Sequence, residues 1–392
     1  MGRARILLFT GKGGVGKTTL AAATAARLAV EGHKVLVCSA DPAHSLGDAF
    51  DRPLTGEPSE VDTCLYAAHV DARGLVDRSW QEIRRQLRVA LAGAGIDELD
   101  AAELTVLPGV DELVALSEVA RLARAGPWEV VVVDCGPTAE TLRLLALPEA
   151  VAGYVERLRG PARLASRSTA AAAIRLAEHL DGLRELLVDP EVTSVRVVLT
   201  PERLVVAETR RTLAALALRG IQVDGLIANR LVPRASRWRG PAASWLRTRR
   251  AEQDRVLAEL GTSTTLPVHL VEHRPVEPVG TGPLLELAGE LYGEADPLAV
   301  PFTGGPARPL LTIRTVSESV HELGIALPLT DTSALELARV GDELAVTVDG
   351  VRRLVSLPVM LRRHTVVDAT ADGDGLVLRF EADPADTSGG LA

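Results

Sequence analysis

Short apolar runs alternate with longer stretches of helical periodicity along most of this chain. Ile6 to Thr10 is an apolar run that stops at Gly11, which suits a buried parallel strand. The Ala/Leu-rich stretch Leu20 to Glu31 then predicts a helix, with Gly32 as its terminator. Val35 to Cys38 predicts a second strand, so the first 38 residues form one βαβ unit. Further strands are expected at Val130–Val133, Val195–Leu199, Val223–Ala228 and Leu266–Leu270, with helices at Glu202–Arg219 and Ala242–Leu260 between them. This alternation predicts an α/β fold whose mostly parallel sheet is covered on both faces. Residues 71–125 interrupt it. Trp80, Ile83, Leu87 and Leu91 recur at helical spacing, as do Leu113, Leu116 and Ala120. They predict a helical insertion, continued over 148–187.

At Asp296-Pro297 the pattern changes. Pro297, Pro301, Gly304, Gly305, Pro306 and Pro309 mark a linker. Beyond it come short alternating segments at Leu310–Val316, Gly324–Pro328, Glu343–Val348, Val351–Leu357, Val366–Ala369 and Leu376–Phe380. Asp349-Gly350 is a two-residue hairpin signal, and Asp372 to Gly375 reads as another turn. The expected organisation is an α/β domain over 1–296, a linker over 297–309, a small all-β sandwich over 310–382 and a tail over 383–392.

Composition narrows the class. With 392 residues, 47% of them hydrophobic and 24% charged, the chain can bury two or three cores. A net charge of −9 with dispersed arginines argues against nucleic acid as a partner. No run approaches the roughly 18 apolar residues of a membrane span, and no secretory or lipidation signal is read at the N-terminus. Cys38, Cys64 and Cys135 form no C-x-x-C and no disulfide framework. The expectation is a soluble, cytoplasmic protein. Only Lys12, Lys17 and Lys34 among the 43 basic residues are lysines, which suggests positions where a compact ammonium serves better than a guanidinium.

Two of those lysines lie in Gly11-Lys12-Gly13-Gly14-Val15-Gly16-Lys17-Thr18-Thr19, between the first strand and the first helix. This is a phosphate-binding loop: its glycines let successive N–H groups turn inward, and the helix adds its positive end. Lys17 is expected to reach the β- and γ-phosphates and the Thr18 hydroxyl to ligate Mg²⁺. Asp41, just past the second strand, can orient or deprotonate a water; it could also cap a helix ahead of Pro42. Asp134 closes an apolar strand and is placed to hold Mg²⁺ through water; a plain strand-end turn residue is the alternative.

The loop, with its extra Lys12, resembles the deviant loop of the partition, division-site and nitrogenase-iron-protein-like ATPases. With Ser39 to Phe50, Pro108 to Glu112, Val130 to Leu145, Asn229-Arg230-Leu231 and Glu277 to Gly280, residues 1–295 resemble the arsenical-pump and tail-anchored-protein targeting ATPase family. The resemblance implies a homodimer in which Lys12 crosses to the partner's nucleotide. It assigns the attacking water to Asp41 and a first switch to Asp41, Pro42, His44 and Ser45. It also assigns a γ-phosphate-sensing second switch to Pro137 and Thr138, and adenine contact to Asn229, which could equally cap its strand. Departures are Ser45, where the family usually has Asn, and Cys135-Gly136 and Ala139-Glu140 in the second switch. Without C-x-x-C no intersubunit zinc is expected, and three scattered cysteines do not look like the thiolate cluster arsenite needs. Residues 309–380 resemble the α-crystallin domain of small heat-shock proteins. The expected activity is ATP hydrolysis with Mg²⁺ driving a dimeric switch that chaperones or targets hydrophobic client proteins, or that meets a membrane receptor. With methionine only at Met1 and Met360, any client groove would be built of Leu, Val and Ala. The catalytic subunit of an oxyanion efflux pump and a holdase with structural nucleotide remain open alternatives.

Overall fold

A computed structural model describes residues 3–39, 45–70, 110–134, 167–234, 240–298, 311–317, 319–326, 335–362, 364–372 and 375–382. The first eight strands are β1 (Arg5–Thr10), β2 (Val35–Ser39), β3 (Ser59–Asp62), β4 (Leu65–His69), β5 (Val130–Asp134), β6 (Thr193–Leu199), β7 (Val223–Leu231) and β8 (Val268–Glu272). They form one sheet in the order β3-β4-β2-β5-β1-β6-β7-β8. β1 and β2 both pair parallel to β5, β2 to β4, and β7 to β8, while β3 lies antiparallel at the edge. Every residue of β2 and β5 is buried, as expected of strands covered on both faces. The register sets Phe9 and Ser39 level with Asp134, so the ends of β1, β2 and β5 meet at one place.

The helices described are α1 (Lys17–Val30), α2 (Ser45–Phe50), α3 (Val110–Ala125), α4 (Arg167–Val188), α5 (Arg203–Ala217), α6 (Pro241–Ser263) and α7 (Thr281–Tyr292). α1 turns Leu20, Leu28 and a row of alanines inward; small side chains let it lie close to the sheet. α3 and α4 stand where the insertion and its continuation were expected. α3 buries Val114, Leu116, Val119 and Ala120, so its apolar stripe is a core face. The Trp80 to Leu91 stripe lies outside the described residues. The last strand of this sheet runs over Val268–Glu272 instead of Leu266–Leu270. Pro267 has no N–H to give and precedes the strand, although its carbonyl still accepts from Leu226 N–H.

The C-terminal strands are β9 (Leu311–Ser317), β10 (Val320–Ala326), β11 (Leu335–Val340), β12 (Glu343–Val348), β13 (Val351–Ser356), β14 (His364–Asp372) and β15 (Gly375–Ala382). They make two antiparallel sheets, β14-β15-β10-β9 and β11-β12-β13. Leu323, Ile325, Leu378 and Phe380 from the first and Leu344, Val346 and Val355 from the second are buried. Asp349 (φ 49°) and Gly350 (φ 79°) join β12 to β13 in the left-handed conformation that a two-residue hairpin demands.

The chain divides into two compact units, Met1–Arg196 with Arg274–Ala299, and Val197–His273 with Val300–Ala392. Within the first, Arg196 of β6 is 3% exposed and its guanidinium donates to Tyr292 Oη (2.7 Å) and to the Pro297 carbonyl (2.5 Å). Tyr292 Oη also lies 2.7 Å from Thr24 Oγ1 of α1. Because the Thr24 hydroxyl donates to the Leu20 carbonyl, the tyrosine proton is the one that spans this contact. Within the second unit, Arg353 of β13 donates to the Leu218 carbonyl just past α5, and Arg210 of α5 faces Asp349 at 3.5 Å.

Candidate active site

The turn after β1 is made possible by its glycines. Gly14 (φ 80°) and Gly16 (φ 95°) take a conformation that costs an L side chain about 1–2 kcal/mol. Among the described residues nothing lies within 4 Å of where a Cβ would stand on Gly13 or Gly14, so the loop is open above its backbone there. Val15, by contrast, is buried and pins the loop from below. α1 begins at Lys17 with no side-chain cap and no acidic residue in its first turn, leaving its first N–H groups and positive end for an anion. Lys17 Nζ donates to the Lys12 carbonyl at 3.3 Å, spanning the loop, and Lys12 itself is exposed.

Directly beneath, four side-chain oxygens converge. Thr18 Oγ1 donates to Asp134 Oδ2 at 2.6 Å, Ser39 Oγ donates to the same oxygen at 3.0 Å, and Ser45 Oγ stands 3.0 Å from Thr18 Oγ1. Asp134 is 1% exposed and Ser39 fully buried. A carboxylate held this deep needs hydrogen bonds to stay ionised, and hydroxyls supply them. The set is all oxygen, with one carboxylate, which is the donor chemistry of a hard divalent cation such as Mg²⁺ and unsuited to a soft metal. Ser39 had no role in the sequence reading; its signal was there, a lone hydroxyl ending an apolar strand, level with the strand that ends in Asp134.

The structure thus brings Lys12, Lys17, Thr18, Thr19, Ser45 and Asp134 together around one loop. Asp41, Pro42, His44, Pro137 and Thr138 lie outside the described residues. Asn229, within β7, accepts the N–H of Arg230 (φ 60°) on its Oδ1 at 2.8 Å. Cys38 is buried in mid-strand, and burial, with the charge of Glu118 adding to it, pushes its thiol up to about 12. Cys64 precedes β4, four residues before the Ala68 that pairs with Cys38, or about 13 Å along the strands.

An open glycine loop at the switch of a parallel sheet, over a threonine–aspartate pair, defines the class of phosphate-loop nucleoside triphosphatases. Comparison with known proteins narrows this further. The anion-transporting ATPase family matches residues 4–293, and the HSP20-like domain found with that family matches residues 318–380. The chain belongs to this family and is an ATPase. It is 38% identical to protein Rv2184c of Mycobacterium tuberculosis, over 97% of both chains. It is 31% identical, over 96% of both, to a Chlorobaculum tepidum protein provisionally named an arsenical pump-driving ATPase. It is also 29% identical to ATPase GET3C of Arabidopsis thaliana, over 66% of this chain and 74% of that one. No helix among the described residues is long and apolar enough to cross a membrane.

Proposed function

We propose that this ATPase works in the cytoplasm as a Mg²⁺-dependent homodimer whose nucleotide cycle drives the handling of hydrophobic client proteins. The observation that carries the reading is the oxygen cluster under the open loop, where the Thr18 hydroxyl donates to the Asp134 carboxylate. In this reading Gly11 to Thr19 wrap the phosphates, Lys17 neutralises the β- and γ-oxygens, and Thr18 holds the cation directly with Asp134 acting through water. The cation supplies positive charge to the phosphate oxygens. Asp41 orients the attacking water, while Pro42, His44, Ser45, Pro137 and Thr138 respond to the γ-phosphate. Asn229 reads adenine by exchanging its local hydrogen bond.

The exposure of Lys12 supports its delivery to a partner's site, where a second ammonium offsets charge as it develops. Client handling is supported by the HSP20-like match over residues 318–380 and by the strand just before it, β9, which edges the same sheet and leaves Ile313 and Val316 exposed. The arsenical reading is less well supported. Soft thiolates are what a metalloid needs, and Cys38 stays a neutral buried thiol some 13 Å along the strands from Cys64.

Mixing two inactive variants tests the shared site. Lys17→Ala fails to hold nucleotide, and Lys12→Ala fails to serve its neighbour. In mixed dimers the Lys12→Ala protomer receives Lys12 from the Lys17→Ala protomer. Hydrolysis is expected to return on mixing and to scale with the fraction of mixed dimers. A mixture as inactive as its parts would end the homodimer reading.

A further inference from the structure

Ser45 opens α2, and its contact with Thr18 can be resolved by counting protons. The Thr18 hydroxyl has a single proton, and the 2.6 Å bond to the buried Asp134 carboxylate uses it. At the 3.0 Å contact Thr18 Oγ1 is therefore the acceptor and Ser45 the donor. The result is a one-way relay, Ser45 to Thr18 to Asp134, in which each bond polarises the next. It fixes the Thr18 rotamer and leaves its second lone pair for a ligand.

α2 is braced to keep Ser45 in place. The Ala49 carbonyl accepts the N–H of Gly280, the residue before α7, at 2.9 Å. A Cβ on Gly47 would stand 2.8 Å from the Arg52 carbonyl, so the turn after Ser45 admits no larger residue.

We propose that Ser45 is a positioning residue of the metal site, tuning the affinity of Thr18 for the cation and tying α2 to the phosphate loop. This rests on the Mg²⁺ reading above. A hydroxyl that supports a metal-binding group typically changes metal affinity by about 10–100-fold when it is removed.

The test uses the full chain and a fluorescent ATP analogue, titrated with Mg²⁺ and also bound in EDTA. Ser45→Ala is expected to raise the half-saturating Mg²⁺ concentration about 10-fold, and to weaken binding in EDTA much less than binding with Mg²⁺. Ser45→Thr restores the wild-type value, and Thr18→Val shifts it further than Ser45→Ala does. Mn²⁺ binding followed by electron paramagnetic resonance gives the same order without any turnover. If Ser45→Ala leaves the Mg²⁺ curve in place while Thr18→Val moves it, the role of Ser45 is refuted and the metal reading stands. If neither moves it, the metal reading falls too. Equal loss in EDTA and in Mg²⁺ for Ser45→Ala would mean general damage to the loop, and would refute the positioning role.

Discussion

Asp134 brings a negative charge to a place almost closed to water, and hydroxyls make that tolerable. Ser39 is the most buried of them, so Ser39→Ala leaves the carboxylate one donor short without opening much space. Losing one hydrogen bond to a buried charged group costs about 1–3 kcal/mol. Urea denaturation of the nucleotide-free protein should show that loss as a lower midpoint at unchanged slope; an unmoved midpoint would mean that Asp134 is served adequately without it. At this scale the sequence was readable where residue type and spacing carry the meaning. The Gly-Lys-Thr run and the aspartate ending a strand of valines need no partner to be recognised. Ser39 and Ser45 were different: serine is common, and only the register of β2 with β5 and the placement of α2 give these two their work. Asn229 was singled out by motif, and the structure adds that its Oδ1 accepts from its own neighbour.

Among the elements, α3 and α4 meet at a polar contact, Ser117 Oγ to His179 Nε2 at 3.0 Å. Burial, and secondarily the charge of Arg124, hold the His179 imidazole below its ordinary value. The unfolded chain therefore binds a proton more readily than the folded one. The stabilising contribution is complete above the ordinary histidine range, near 6.5. It is lost as pH falls from there through the folded value. Hydrogen exchange over α4 should accelerate between pH 7.5 and 5.5 beyond the intrinsic chemical change, and His179→Gln should remove that excess. The helices and buried strands were legible because apolar periodicity is strong in them. β3 and β4 were not. Their turn holds Cys64 at φ 61°, with neither glycine nor asparagine to announce it. α2 was missed as well: it is six residues long with a glycine inside, and tertiary bracing replaces the propensity it lacks.

At the scale of the molecule, the change of character near Pro297 was plain in composition, since Pro and Gly accumulate there while alternating strands follow. What composition does not reveal is where that segment is fastened. The Tyr292 hydroxyl donates to Thr24 in the helix that starts at the phosphate loop, and accepts from Arg196, which also grips the Pro297 carbonyl. Tyr292→Phe removes this one oxygen and keeps the ring. ATP affinity should stay within about twofold, because Thr24 sits nearly two turns beyond Thr18. Hydrogen exchange over α7 should accelerate severalfold, because Thr24 and Arg196 both lose their bond to its last residue; an unchanged rate would show that the hydroxyl does not fasten this helix.

The same fastening has a mechanical corollary. The helix that starts at the glycine loop cannot shift lengthwise without straining, through a single phenol, its bond to the strand residue that clasps the Pro297 carbonyl. That connection is made stiff-jointed at its centre by a buried guanidinium packed 6.0 Å from Phe9 and 5.5 Å from Tyr292, ring centre to carbon.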